Sequence, residues 1–213
     1  MGQRVDRRKE ASKSRRTAIL QAARSVFAGQ GFQNTSVDDI AAKAGLGKGT
    51  LYLYFSSKEE IYMAVLIEDG HALNDLTRER MDAAGSWRER LNAYVQTKME
   101  HLETHQEFIR IYLGETRSMM LRGARVSPEL YQVLREGVSH LVQMFASAVA
   151  RGEIRPVDPE LAALTVADLT RGLIERRLLC LCRYNDASDV DFVLDLLFAS
   201  LTCPGRNQRS SSG

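Results

Sequence analysis

Long apolar runs are missing from this chain. Nowhere do about eighteen uncharged apolar residues stand together, so no membrane-spanning helix is expected. The charged N-terminus also lacks the apolar stretch and small-residue cleavage site of a secretory signal, which points to a cytoplasmic protein. Cysteine occurs three times only. Cys180 and Cys182 are too close together to staple a loop and Cys203 lies near a polar end, so a disulfide scaffold is excluded and reduced thiols are expected. With four prolines and no window that alternates apolar and polar residues over strand lengths, a sandwich or barrel is excluded as well. What is present is 44% hydrophobic and 26% charged residues in 213 positions, enough for a sizeable core in one large domain or two small ones.

The net charge of +2 hides an asymmetry. Up to Lys58 there are eleven Lys and Arg against four acids; beyond it there are eighteen against twenty-three. A basic module joined to a mildly acidic body suits a protein whose first part meets a polyanion while the rest avoids coating it. A solvated tail carrying Arg4, Arg7, Arg8, Lys9, Lys13, Arg15 and Arg16 would give the same charge count, so the pattern of the apolar residues has to decide.

That pattern is helical nearly throughout. From Ser14 to Gly29, Ile19, Leu20, Ala23, Val26 and Phe27 form one buried stripe, and Gly29 and Gly31 stop the helix. Ser36 caps a second, two-turn helix with Val37, Ile40, Ala41 and Ala44 inside, ended by Gly45. After the tight link Gly45-Leu46-Gly47, a third short helix runs through Thr50 to Tyr54 and buries Leu51 and Phe55, which completes a helix-turn-helix. Ser57 and Glu60 form a capping box that opens a long helix towards Met81, and Ser86 and Glu89 form another that opens a helix to about Thr104. Helical spacing resumes through Phe108, Ile109, Tyr112 and Leu113 up to Gly123. Ser127-Pro128 and Asp158-Pro159 start helices reaching about Ala150 and Arg183, and Asp186 or Ser188 caps the last helix, about Asp189 to Thr202. That last helix carries Phe192, Val193, Leu196, Leu197, Phe198 and Leu201 around much of its circumference, so burial on two sides is expected. The fold class is therefore all-α with about nine helices. Residues 1–58 would be a three-helix DNA-binding domain with a basic leader, 59–203 a larger helical body, and 204–213 a disordered tail.

Ala22, Phe27, Gly31-Phe32, Thr35-Ser36-Val37, Ile40-Ala41, Ala44-Gly45, Gly49-Thr50-Leu51-Tyr52-Leu53-Tyr54-Phe55 and Lys58-Glu59 together resemble the N-terminal signature of the TetR family of bacterial regulators, over roughly residues 12 to 65. The resemblance implies a transcription regulator, most simply a repressor, that grips a palindromic operator as a dimer and is released by a small molecule. It places Thr35, Ser36, Lys48, Gly49, Thr50, Tyr52, Leu53, Tyr54 and Lys58 at the DNA. Physically, Lys48 and Lys58 can neutralise phosphates, Thr50 can reach a base edge or a phosphate, the two tyrosine hydroxyls can hold phosphates, and Leu53 can meet a thymine methyl. Thr35 and Ser36 stand where a helix N-terminus favours an anion. Gly47 departs from the family, which has a Ser or Thr capping the recognition helix there. The run Gly45-Leu-Gly47-Lys-Gly49-Thr lacks the spacing of a phosphate loop and follows a helix instead of a strand.

In the body the resemblance implies an effector site and a dimer interface on the last two long helices, where Ala162, Ala163, Ala167 and Gly172 also permit close helix approach. A largely apolar effector would be lined by Met63, Leu66, Phe108, Tyr112, Met119, Tyr131 and Met144, with Ile111, Met120, Leu134 and Phe145 as further candidates. Arg171 and Glu175 either orient a polar headgroup or pair with each other on the surface. His101 and His105, four apart beside Glu100 and Glu103, have metal-capable spacing, but no third ligand is near in sequence and a solvated polar face is preferred. No nucleophile stands at a spacing that would pair it with a base, so neither catalysis nor a cofactor is expected. Two other functions remain open: a DNA-binding dimer whose body docks a protein, and a metal-assisted enzyme or metal-binding helical protein built around His101 and His105.

Overall fold

The computed structural model of the chain describes residues 2–106, 109, 127–179 and 188–202. Every regular element among them is a helix, and there are eight: α1 (Gly2–Asn34), α2 (Val37–Lys43), α3 (Lys48–Tyr52), α4 (Lys58–Ala83), α5 (Trp87–Thr104), α6 (Pro128–Ala150), α7 (Pro159–Leu178) and α8 (Ser188–Leu201). Phe108, Tyr112, Met119, Gly123, the three cysteines and the expected tail lie outside the described residues. No described helix is long and apolar enough to cross a membrane.

The helix boundaries follow local chemistry. α1 starts twelve residues earlier than Ser14, because the polar leader is rich in good helix formers though it has no apolar stripe to announce it. Gly31, at φ 77°, interrupts it as expected. α6 and α7 begin as read, with Pro at the first position and the Ser127 and Asp158 side chains accepting from the Leu130 and Leu161 N–H at 3.2 and 2.8 Å. The Ser86–Glu89 box is reciprocal. At α4 the box is shifted: the Glu60 N–H donates to Ser57 Oγ, but the Glu60 carboxylate accepts from the backbone and hydroxyl of Ser56, one residue earlier, and those bonds hold it below the usual carboxylate range. α5 stops at Thr104, so His105 falls beyond the helix and the expected face of two histidines does not form. Among the described residues no group of His, Cys, Asp and Glu could hold a metal ion.

The chain divides into two compact units. The first holds the chain up to Asp69, with His105 and Ile109; the second takes in Gly70 to Thr104 and the chain from Ser127 onward. The first reaches past the expected boundary at Lys58 because Ile61, Tyr62, Val65 and Leu66 of α4 complete its core with Ile19, Leu20, Ala23 and Phe27 of α1, Ile40 and Ala41 of α2, Leu51 of α3 and Phe55. Phe27 meets Tyr62 edge-on at 5.3 Å. Arg24 pairs with the buried Asp69 at 2.5 Å, and desolvation nonetheless pushes the Asp69 carboxyl up from its ordinary value.

In the second unit α5 packs on α6, α7 and α8, and α6 on α7. Leu91, Tyr94 and Val95 of α5, Leu141, Met144 and Phe145 of α6, Val166 and Leu173 of α7, and Val190, Val193, Leu194 and Leu197 of α8 are buried there. Arg177 of α7 holds Asp189 of α8 at 2.6 Å. One face of α8 is thus covered, whereas Phe192 and Leu196 remain 68% and 56% exposed.

Candidate nucleic-acid interface

The first unit's architecture depends on a tight turn. α2 ends at Lys43, and Gly45 takes φ 66°, a left-handed conformation that an L side chain resists. The Leu46 N–H returns to Ala41 O at 2.9 Å, and α3 begins two residues later. Gly47 caps α3 with extended backbone and no side-chain bond, as its identity requires. Leu51 points inward as the anchor of α3 and is fully buried. The opposite face is consequently turned outward: Lys48 and Gly49 are exposed, Thr50 is half-buried, Tyr52 is 47% exposed and Leu53 82% exposed. An isoleucine-sized apolar group held so far into solvent at the tip of a five-residue helix stabilises nothing within the chain. Tyr54 packs its ring against the core from the edge.

The residues around α2 act differently from one another. Ser36 caps α2: its Oγ accepts from the Asp39 N–H at 3.1 Å, while Asp39 Oδ2 accepts from the Ser36 N–H at 2.8 Å. The Ser36 N–H and the Ser36 hydroxyl, both donating to Asp39 Oδ2, hold the Asp39 carboxyl below its ordinary range. This capping box escaped the sequence reading because the third position carries Asp instead of Glu or Gln. Thr35 is buried, its hydroxyl donating to Gly31 O at 2.7 Å and its N–H to Phe32 O at 3.3 Å, so both donors are spent inside the unit. Lys58 is also engaged: its ammonium donates to Phe32 O at 2.8 Å and Thr35 O at 2.9 Å and lies 4.3 Å from the Phe32 ring centre. Two of its three donors thereby fasten the start of α4 to the segment before α2. Thr35 and Lys58 are placed as supports, while Ser36, Lys48, Gly49, Thr50, Tyr52 and Leu53 line the outer surface.

Lys48 is held over α2 by Asp38 at 2.8 Å, and that bond raises its pKa. Asp38, which the sequence reading did not single out, therefore positions Lys48 at the interface. Arg16 of α1 stacks over Phe55 at 5.0 Å and reaches Glu68 at 3.6 Å. Ahead of it, residues 10–18 are exposed on every side of the helix.

The residues expected around an effector are dispersed by role. Leu66 is in the first unit's core and Met63 packs against it. In the second unit Met144 is buried and Tyr131 is 56% exposed. Arg171 pairs with Asp168, one turn earlier, instead of with Glu175.

Two short helices joined at a left-handed glycine, with the second offering an outward tip flanked by a lysine and a helix N-terminus, define a helix-turn-helix DNA-binding protein. Comparison with known proteins makes the assignment specific. Residues 19–65 match the profile of the tetR family of bacterial regulatory proteins, and residues 84–175 that of a tetracyclin repressor-like C-terminal domain. The transcriptional regulator RutR of Escherichia coli K12 is 31% identical over 156 residues, spanning 72% of this chain and 71% of the relative. The chain belongs to the TetR family and is a transcription regulator. The fold agrees with solved structures. The regulator FadR from Bacillus subtilis, in complex with stearoyl-CoA, superposes with a TM-score of 0.69 at 22% identity, covering 86% of this chain and 98% of that one. Salmonella enterica GusR gives 0.66 at 26% identity, with 89% and 96% covered.

Proposed function

We propose that the protein is a homodimeric repressor that reads a palindromic operator through residues 1–58 and leaves it when a small, largely apolar effector enters the body, residues 59–203. The observation that carries the DNA reading is the outward tip of α3, where Tyr52 and Leu53 are exposed over a rigid, fully buried anchor. A shape that costs apolar exposure in the free protein is repaid when a groove covers it. Lys48, Thr50 and the Ser36 end of α2 then hold phosphates on either side, and Lys58 and Thr35 keep the α2 terminus in place for them. The uncovered face of α8 supports the dimer. An effector-controlled body is supported by a regulator of the same fold that takes up stearoyl-CoA. A body that docks a protein instead would leave DNA binding unaltered in the presence of any small molecule. Such a regulator acts where chromosomal DNA is, in the cytoplasm.

Binding of the purified protein to its own upstream promoter DNA at fixed salt tests this. Tyr52→Ala removes one contact from each half-site, worth about 1–3 kcal/mol per copy, so affinity falls about thirtyfold or more in a dimer. Equal, sequence-indifferent binding by both proteins would overturn the reading.

The basic start of α1 extends the same surface. Arg4, Arg7, Arg8 and Lys9 lie on a helix continuous with the DNA-binding unit and follow the adjoining backbone in this reading. Each phosphate they neutralise adds about 0.9 to the slope of log affinity against log salt. Replacing all four with Gln is expected to flatten that slope by several units while leaving the preferred sequence unchanged; an unaltered slope would make the leader a solvated tail.

A further inference from the structure

Lys98 of α5 is a half-buried cation that forms no ion pair among the described residues. On α5 the positions Leu91, Tyr94, Val95, Lys98 and Leu102 share one face at spacings of three and four, and every one of them except Lys98 is apolar and buried. Lys98 therefore interrupts the stripe that packs α5 into the body. Its ammonium makes one hydrogen bond, a long one, to Asn74 Oδ1 at 3.3 Å, and lies 5.6 Å from the centre of the Tyr94 ring. Asn74 is itself fixed, donating from Nδ2 to the Val133 carbonyl at 2.8 Å. Among the described residues of this unit, the carboxylates that form ion pairs are held by other bases: Asp75 by Arg78, Glu100 by Arg80, Glu103 and Asp189 by Arg177, Glu153 by Arg151, Asp168 by Arg171 and Glu136 by His71. A lysine has three N–H donors, so two are left for a guest.

We propose that Lys98 is the recognition residue for an anionic headgroup, a carboxylate or a phosphate, on an otherwise apolar effector. Burial pushes its pKa down to about 8, which keeps the ammonium charged at neutral pH and makes an anion the group it lacks. Charge-assisted bonds in a poorly solvated site are short and strong. The assignment rests on the effector reading given above.

The test uses two fluorescent dyes that share their ring systems, anilinonaphthalene sulfonate and uncharged phenylnaphthylamine, titrated into the full-length protein, Lys98→Met and Lys98→Arg. The wild type is expected to prefer the sulfonate at one site per chain by about ten- to a hundredfold, the effect of a hydrogen bond to a charged group. Lys98→Met should lose that preference while still binding the uncharged dye, and Lys98→Arg should keep it. Thermal unfolding of each variant confirms that it is folded. If the wild type binds both dyes equally, or Lys98→Met keeps the preference, the headgroup assignment is overturned and the effector reading stands. If neither dye binds the wild type, both fail.

Discussion

Phe192→Asp together with Leu196→Asp is expected to turn the protein into a folded monomer that has lost specific DNA binding. The two side chains sit one turn apart on α8, 68% and 56% exposed, and neighbouring α7 adds Leu161, Leu164 and Leu169 at 66%, 46% and 37%. Exposed aliphatic and aromatic side chains on two packed helices suit an interaction surface. The opposite side of α8 is already satisfied by Val190, Val193, Leu194, Leu197 and Leu201, so the substitutions do not touch the chain's own core. A twofold axis doubles every change, placing four carboxylates in one desolvated interface, each at a cost of several kcal/mol unless it is paired. Dimer affinity should therefore weaken by a thousandfold or more, on the order of 4 kcal/mol. DNA binding follows. One helix-turn-helix alone gives roughly the 10⁻⁴ to 10⁻⁶ M of sequence-indifferent binding, against about 10⁻⁸ to 10⁻¹¹ M for two half-sites read together about 34–36 Å apart. Sedimentation measures the first effect and promoter binding the second. A doubly substituted protein that still sediments as a dimer at micromolar concentration would place the interface on another face.

The parts of this molecule legible in the sequence are those where a local rule has one outcome. A Ser or Asp directly before Pro starts a helix whatever surrounds it, and α6 and α7 begin at those positions. The stripe from Ile19 to Phe27 and the glycine at position 45 define the helix-turn-helix because a buried face and a left-handed turn leave few alternatives. The over-apolar last helix, expected to be buried on two sides, is covered on one face by its own chain and leaves Phe192 and Leu196 exposed on the other. What the sequence concealed depends on which neighbour wins a shared group. Glu60 has Ser56 and Ser57 within reach and its carboxylate goes to Ser56. Lys58 was read as a phosphate ligand from its place at a helix start, but two carbonyls 23 and 26 residues earlier capture most of its donors. Thr35 turns inward because Gly31, by breaking α1, leaves a carbonyl for its hydroxyl. Arg171 has a carboxylate one turn back as well as one turn ahead, and takes the former. Periodicity did contain the signal for Lys98, a charged residue at an apolar position, but a single lysine in a helix of mixed polarity is unremarked until the helix is packed.

Lys98→Met is expected to stabilise the protein at neutral pH, by about 2–3 kcal/mol. The ammonium titrates near 8 in the fold and 10.5 when exposed, so between those values the unfolded chain binds more protons than the native one. The sign follows directly. Above about pH 10.5 neither state carries the charge and burial of the amine costs little. As pH falls towards 8 the folded state is disfavoured progressively, and below 8 the whole cost of burying a cation is present and constant. Methionine fills a similar volume with no charge to desolvate, so the advantage of the variant should be full at pH 7 and shrink as pH rises from 8 to 10.5. Each kcal/mol moves the melting temperature of a chain this size by about 2–4 °C, so a rise of several degrees is expected at pH 7, measured at matched protein concentration because dimers melt later when concentrated. A variant less stable than the wild type at pH 7, or an advantage that does not narrow above pH 8, would mean that Lys98 is not a desolvated cation. The same reserve explains why a folded regulator would keep such a residue. An anion that enters beside Lys98 relieves the desolvation cost, so part of the energy the fold gives up at this position returns only when the anion is bound, and the body can be biased by that binding.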